Sequence, residues 1–390
     1  MKKIPFIPAE GVSNVELFYD LIFVYCISVI TSLMHHISGS FFNVEAWAVF
    51  GFSYLVVLQV WLFTTLLLNR YGTYTASDNI CLFVSMFLLY FLARGIQTDW
   101  ESNIFGFHIA WALILLNLTI HWVYKLLRFN NLDHDDKVIM ISSAVVLGIQ
   151  FILVLVAAFL PPVPSAVVST VALIAGAGVF SQSRVFRRKS LRFAHLVERC
   201  TLLIIVAFGE TIIAIAAYFS EGASLLYVAF VFALVVGLFL IYIYEHDNMT
   251  DHHRKTDGMG YMTVMAWVIF IIGNLAVALE FMPLDHIAHL PKSIYLTACL
   301  VFYLLTSLVF GIWNKPEFKL TKPFVIGRVI VCIFIIAVAG LTRFDPLITL
   351  VCDTAAIYIA LWHEWLLYRG RPATKALGHT LGISGGEEHS

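Results

Sequence analysis

Apolar residues in this chain come in unbroken runs of about 18 or more, separated by short polar segments, and a run of that length crosses a hydrocarbon layer of about 30 Å as a helix. Such runs lie near residues 15 to 37, 44 to 68, 78 to 97, 104 to 127, 138 to 160, 163 to 180, 198 to 219, 223 to 245, 261 to 281, 293 to 313, 323 to 342 and 346 to 367. Strands of a membrane barrel alternate apolar and polar side chains over about ten residues, whereas these runs are continuous. The pattern therefore predicts an all-α fold, a polytopic helical membrane protein of about 12 transmembrane helices. Lys2 and Lys3 are the only basic residues before the first run and no small-residue cleavage site follows, so it is expected to stay as a helix.

The polar segments carry an asymmetric charge. With the amino terminus inside, 19 of the 24 Lys and Arg residues fall on the cytoplasmic side, and only Lys292 and Arg343 fall in the outer loops. Arg94, Arg199 and Arg328 lie within spans. The positive-inside rule then predicts that both termini are cytoplasmic. Trp100, Trp122, Trp313, Trp362 and Trp365 sit near span ends, where aromatic belts form.

Spacing also predicts a duplication. Val15-Glu16 opens span 1 and Val197-Glu198 opens span 7, an offset of 182; Lys137 and Pro161 bound span 5 as Lys322 and Pro346 bound span 11, an offset of 185. An even number of spans per half gives two parallel six-helix repeats. The expected organisation is a first repeat at 1–180, a basic cytoplasmic connector at 181–197, a second repeat at 198–368 and a disordered tail at 369–390. The connector carries Arg184, Arg187, Arg188, Lys189 and Arg192 with Phe186 and Phe193 among them. It reads either as an amphipathic helix on anionic lipid or as an ordinary positive loop.

Composition agrees with a bilayer protein. Hydrophobic residues make up 60% of the chain and charged ones 13%, against about 25% charged in soluble domains. A net charge of -1 gives no electrostatic footprint for nucleic acid. The six cysteines, Cys26, Cys81, Cys200, Cys299, Cys332 and Cys352, all lie in apolar runs without a CxxC pair and read as packing residues. Nucleotide-binding, zinc-protease and serine-hydrolase motifs are absent, so neither an enzyme nor a cofactor is expected.

The candidate chemistry lies in ionisable residues inside the spans, each costing about 2.5 to 3.5 kcal/mol to insert without a partner. Glu210, midway along span 7, is the leading proton-binding candidate. Glu16 and Asp20, four residues apart on one face of span 1, attract a cation or share a proton, or else pair with Arg199 or Arg328. Glu198 joins those two arginines as a gating candidate, and Arg94, Glu280 and Asp353 form a second set by depth toward the outer side. His35, His36, His121 and His363 titrate near neutral pH when unperturbed. The strings Asp133-His134-Asp135-Asp136 and Glu245-His246-Asp247 lack zinc spacing and read as solvated loops. In span 6, the small residues Ser169, Ala172 and Gly176 are expected to permit close helix packing.

Three segments resemble a known family. Val15-Glu16-Leu17-Phe18-Tyr19-Asp20-Leu21-Ile22-Phe23-Val24 is similar to the first-helix signature of the bacterial low-temperature requirement A family. His195-Leu196-Val197-Glu198-Arg199 with Gly209-Glu210 resembles its second signature, and Asn69-Arg70-Tyr71 its stretch after span 2. Tyr244-Glu245-His246 departs from the family's pattern. The resemblance implies an integral membrane protein linked by name to growth in the cold. Residues 16 to 20 are also similar, over a short motif, to the first-helix signature of a potassium-channel family built of six-helix repeats.

The residues favour a proton-coupled secondary transporter of the bacterial cytoplasmic membrane, with Glu210 protonatable and Glu16, Asp20, Arg199 and Arg328 as a cytoplasmic gate. A cation channel lined by the first helix of each repeat is the alternative, and a membrane sensor or scaffold is another. Expected partners are the lipid bilayer, a proton or monovalent cation, and anionic lipid at the basic connector.

Overall fold

Polar residues at the edges of the apolar runs become helix caps. The computed structural model describes residues 12–36, 44–97, 100–182, 191–220, 224–284, 288–341 and 345–369. They form α1 (Asn14–Ser32), α2 (Val44–Tyr71), α3 (Ala76–Arg94), α4 (Trp100–Arg128), α5 (His134–Ala157), α6 (Pro162–Gln182), α7 (Phe193–Ser220), α8 (Leu225–Ile243), α9 (Met259–Phe281), α10 (His289–Phe310), α11 (Lys322–Leu341) and α12 (Pro346–Tyr368). Ser13 Oγ accepts from the Glu16 amide at the start of α1, and Ser224 caps α8 in the same way. Asp345 Oδ1 accepts from the amides of Leu347 and Ile348, with Pro346 at the first helical position of α12.

Among the described residues, eleven helices are long and apolar enough to cross a membrane, and α6 holds a shorter apolar stretch, Pro162–Gly178. Their outward faces carry large apolar side chains such as Phe87, Ile152, Ile174, Phe302 and Ile333, while Glu16, Asp20, Arg199, Arg328 and Glu364 are buried. That distribution inverts the one water selects, so the apolar faces meet lipid. The chain is a polytopic helical membrane protein.

Two expectations about loops are corrected. Asp133 accepts from the Asp136 amide at 2.8 Å, so α5 begins at His134 and the acidic string is its cap and first turn. The Glu245-His246 segment is a π-helical turn, Tyr244–Met249, that prolongs α8 and buries Glu245, His246 and Asn248. Lys315 holds that turn in place, its amide donating to Met249 O at 2.7 Å and its Nζ to Asn248 O at 2.9 Å. Tyr244 and Met249 pack there with Phe318, Phe324 and Tyr368.

The chain forms two compact units. One contains the described residues up to Val206 together with Lys255–Ala266, and the other Ala207–Arg254 and the described residues from Trp267 on. In the first, α1 packs on α2 and α3, α3 on α4, α4 on α5, and α6 on α5 and α2. In the second, α12 packs on α8 and α11, and α10 on α11.

Close packing of α6 rests on small residues, as expected. Gln150 Nε2 donates to Gln59 Oε1 at 2.8 Å and to Ala172 O at 2.7 Å, and Gln59 Nε2 donates to Leu173 O at 2.9 Å. A Cβ on Gly176 would run into both amide groups. The connector residues Arg184, Arg187, Arg188 and Lys189, the tail from 370 and the side chains of His35 and His36 lie outside the described residues. Arg192 is described: its Nε and Nη2 donate to Asn69 O at 2.6 Å and Leu68 O at 2.9 Å, closing the carboxyl end of α2.

Candidate functional site

The i, i+4 pair Glu16 and Asp20 on α1 meets a second i, i+4 pair, His195 and Arg199 on α7, in the first unit. Spacing of four places both members of each pair on one helix face. Arg199 Nε donates to Asp20 Oδ2 at 3.1 Å and its Nη2 to Asp20 Oδ1 at 2.6 Å, a two-pronged contact. Trp61 Nε1 donates to the same Oδ1 at 2.8 Å, and the guanidinium lies 5.8 Å from the Trp61 ring centroid. Asp20 is thereby fully engaged.

Glu16 is held differently. It is wholly buried, its Oε2 lies 3.9 Å from Arg199 Nη1 and 3.4 Å from His195 Nε2, and neither oxygen makes a hydrogen bond among the described residues. The His195 tautomer follows from its neighbours. Arg192 N donates to Asn69 Oδ1 at 3.0 Å and Asn69 Nδ2 donates to Arg192 O at 3.1 Å, which orients the amide. Asn69 Nδ2 then points at His195 Nδ1 across 3.2 Å, so Nδ1 accepts and Nε2 carries the proton, facing Tyr74 Oη at 3.1 Å and Glu16.

Tyr74 reaches this site from the turn between α2 and α3 with φ of 50°, the left-handed region that a bulky side chain seldom adopts. Such a residue costs about 1 to 3 kcal/mol and persists where its surroundings hold it. Burial first, and the Glu16 carboxylate next, push the Tyr74 phenol up to about 12.

A second cluster in the same unit is self-contained. Asp78 Oδ1 meets Lys125 Nζ at 2.6 Å and His121 Nε2 at 2.8 Å, while Oδ2 accepts from the amide and hydroxyl of Thr73, each at 3.1 Å. Lys125 also donates to Thr73 Oγ1 at 3.0 Å. This group ties α4 to the turn that carries Tyr74.

The second unit has its own buried triad. Arg328 Nη2 donates to Glu245 Oε1 at 2.8 Å and to Glu364 Oε2 at 2.5 Å, with the guanidinium 5.1 Å from the Phe324 ring centroid. Arg328 Nε and Nη1 and Glu364 Oε1 make no hydrogen bond among the described residues. Arg328 therefore takes its carboxylates from α12 and the π turn.

The remaining candidates are divided between the two units. Glu198 and Arg94 are exposed in the first unit, while Glu210 and Glu280 are half-buried in the second. Asp353, also in the second unit, is wholly buried on α12 with no hydrogen bond to either oxygen among the described residues. Sequence reasoning overlooked His195, Asn69, Tyr74, Glu245 and Glu364 as site members. The matched spacing of Glu16/Asp20 and His195/Arg199 was the available signal for the first of these, and for Glu245 and Glu364 it was their place inside the apolar runs 223 to 245 and 346 to 367.

A sequence model described as "Bacterial low temperature requirement A protein (LtrA)" matches residues 11–362. No curated protein and no solved structure matches the chain.

Proposed function

The chain belongs to the bacterial low temperature requirement A family, and on that premise we propose that it is a proton-coupled secondary transporter of the bacterial cytoplasmic membrane, without enzymatic activity. The observation that carries this reading is Glu16. One guanidinium faces two carboxylates in a site closed to solvent, and Arg199 commits its two-pronged contact to Asp20. His195 adds no charge in the tautomer that Asn69 selects. An excess negative charge in a buried site is neutralised by a proton or a cation, and a proton needs no added volume. Glu16 is the acceptor, with His195 Nε2–H and the Tyr74 hydroxyl as the adjacent relay.

Glu210, half-buried in α7, is the second proton-exchanging group in this reading, and Asp20–Arg199 is the fixed part of a gate. The basic segment Arg184, Arg187, Arg188 and Lys189 serves as a contact for anionic lipid, with Arg192 committed instead to the end of α2.

The test is ion and proton flux into sealed proteoliposomes under imposed pH, Na⁺ and K⁺ gradients. Wild type is expected to show a saturable, gradient-driven proton flux, at least tenfold lower in Glu16→Gln and Glu210→Gln. Full flux in a folded Glu16→Gln overturns the assignment. Unitary conductance steps would place the chain with cation channels, and the absence of flux under every gradient would favour a sensor.

A further inference from the structure

We propose that Arg328, Glu245 and Glu364 form a proton-binding site of the second unit, in which the two carboxylates share one proton that exchanges through an adjoining cavity. The role of this site rests on the proton-coupled reading above, while its occupancy by a proton stands on its own geometry.

The first observation is charge. Arg328, Glu245 and Glu364 are 2%, 6% and 0% exposed, and one guanidinium stands against two carboxylates. Both carboxylates converge on the single nitrogen Nη2, and neither takes a two-pronged contact. Arg199 saturates Asp20 with two nitrogens, but Arg328 saturates neither partner. One proton on either carboxyl removes the excess charge, and the shared nitrogen makes the two acceptors near equivalents.

The second observation is access. A cavity of about 10 Å³ adjoins Glu245, about the volume that one water requires, and Tyr242, Tyr303, Thr306 and Ser307 are among its walls. Tyr303 donates to Leu238 O and Thr306 to Tyr303 O, while the Ser307 hydroxyl, which reaches Leu304 O, is also in hydrogen-bond range of Glu245. The wall thus places hydroxyl groups beside an acidic residue, which suits a water that exchanges a proton rather than an anion. The π turn places Glu245 with its carboxylate on Arg328 and the residue in the wall of the cavity.

Other titratable groups near the triad are Tyr303 on α10, Tyr242 on α8, Cys332 on α11 and His363, which precedes Glu364 and packs against Gly327 beside Arg328. His246 stacks on Tyr242 with ring centroids 3.9 Å apart. Among the described residues Arg328 is the cation paired with Glu245 and Glu364, so a proton on one carboxyl is what balances the site.

The experiment is infrared difference titration of the full-length chain in detergent, following the carbonyl stretch of protonated carboxyl groups and its shift in D₂O. Compared with wild type, Glu245→Gln and Glu364→Gln are each expected to lose a band equal to one carboxyl, because the remaining carboxylate then pairs with Arg328 as a neutral couple. Arg328→Gln is expected to gain one. A band unchanged by both glutamine variants, or lost in only one of them, overturns the shared proton. Flux in vesicles is read separately. Loss of the band with no flux in wild type would keep this site and remove the transporter, and flux with an unchanged band would do the reverse.

Discussion

Arg199 and Asp20, 179 residues apart in the chain, are joined by two hydrogen bonds of 3.1 and 2.6 Å inside the first unit. The contact connects α7 to α1 through charges that water does not reach. Leaving either charge alone in such a place costs about 3 to 5 kcal/mol, whereas replacing both by apolar groups is often neutral. Arg199→Leu is therefore expected to lower the thermal midpoint of the purified protein in detergent, and Asp20→Leu combined with Arg199→Leu to recover most of that loss. A double variant as unstable as the sum of the single ones would contradict the pair.

Tyr74 predicts an alkaline signature. Its phenol titrates near 10 when unperturbed and is pushed up to about 12 by burial and by Glu16. The group binds its proton more tightly when folded, so its contribution is complete below pH 10 and is lost as pH rises toward 12. Tyr74→Phe keeps the neutral ring and removes the titration. Thermal melts between pH 9 and pH 12 should show a shallower alkaline decline in the variant than in wild type, and parallel curves would contradict the assignment.

Asp353 predicts the opposite kind of substitution. Both of its oxygens are buried without a hydrogen bond among the described residues. A buried polar group in that state costs about 1 to 3 kcal/mol. Asp353→Leu, which keeps the branching point of the side chain, is expected to raise the melting midpoint of the detergent-solubilised protein. A fall of several degrees would mean that the carboxyl is supported by a partner and contributes to the fold.

The helices were legible because their signal is local. A run of apolar residues such as Leu225–Ile243 has one stable form in hydrocarbon, and caps such as Asp133 and Asp345 act on amides two or three residues away. The pairing of Asp20 with Arg199 was one of two choices that depth allowed, and Arg328 was the other. Arg328 has its own carboxylates, Glu364 and a Glu245 placed by a π turn.

The sequence by itself determined that the chain spans a membrane many times, which residues are too polar for lipid, and which of those share a helix face. Each of these follows from composition within a few turns. Only the tertiary structure decided the partners: Asp20 with Arg199, Glu245 and Glu364 with Arg328, Asp78 with His121 and Lys125, and Asp353 with none among the described residues. Periodicity specifies the direction in which a side chain leaves its helix, whereas partnership depends on the rotation and depth of a second helix, set by packing across tens to hundreds of residues.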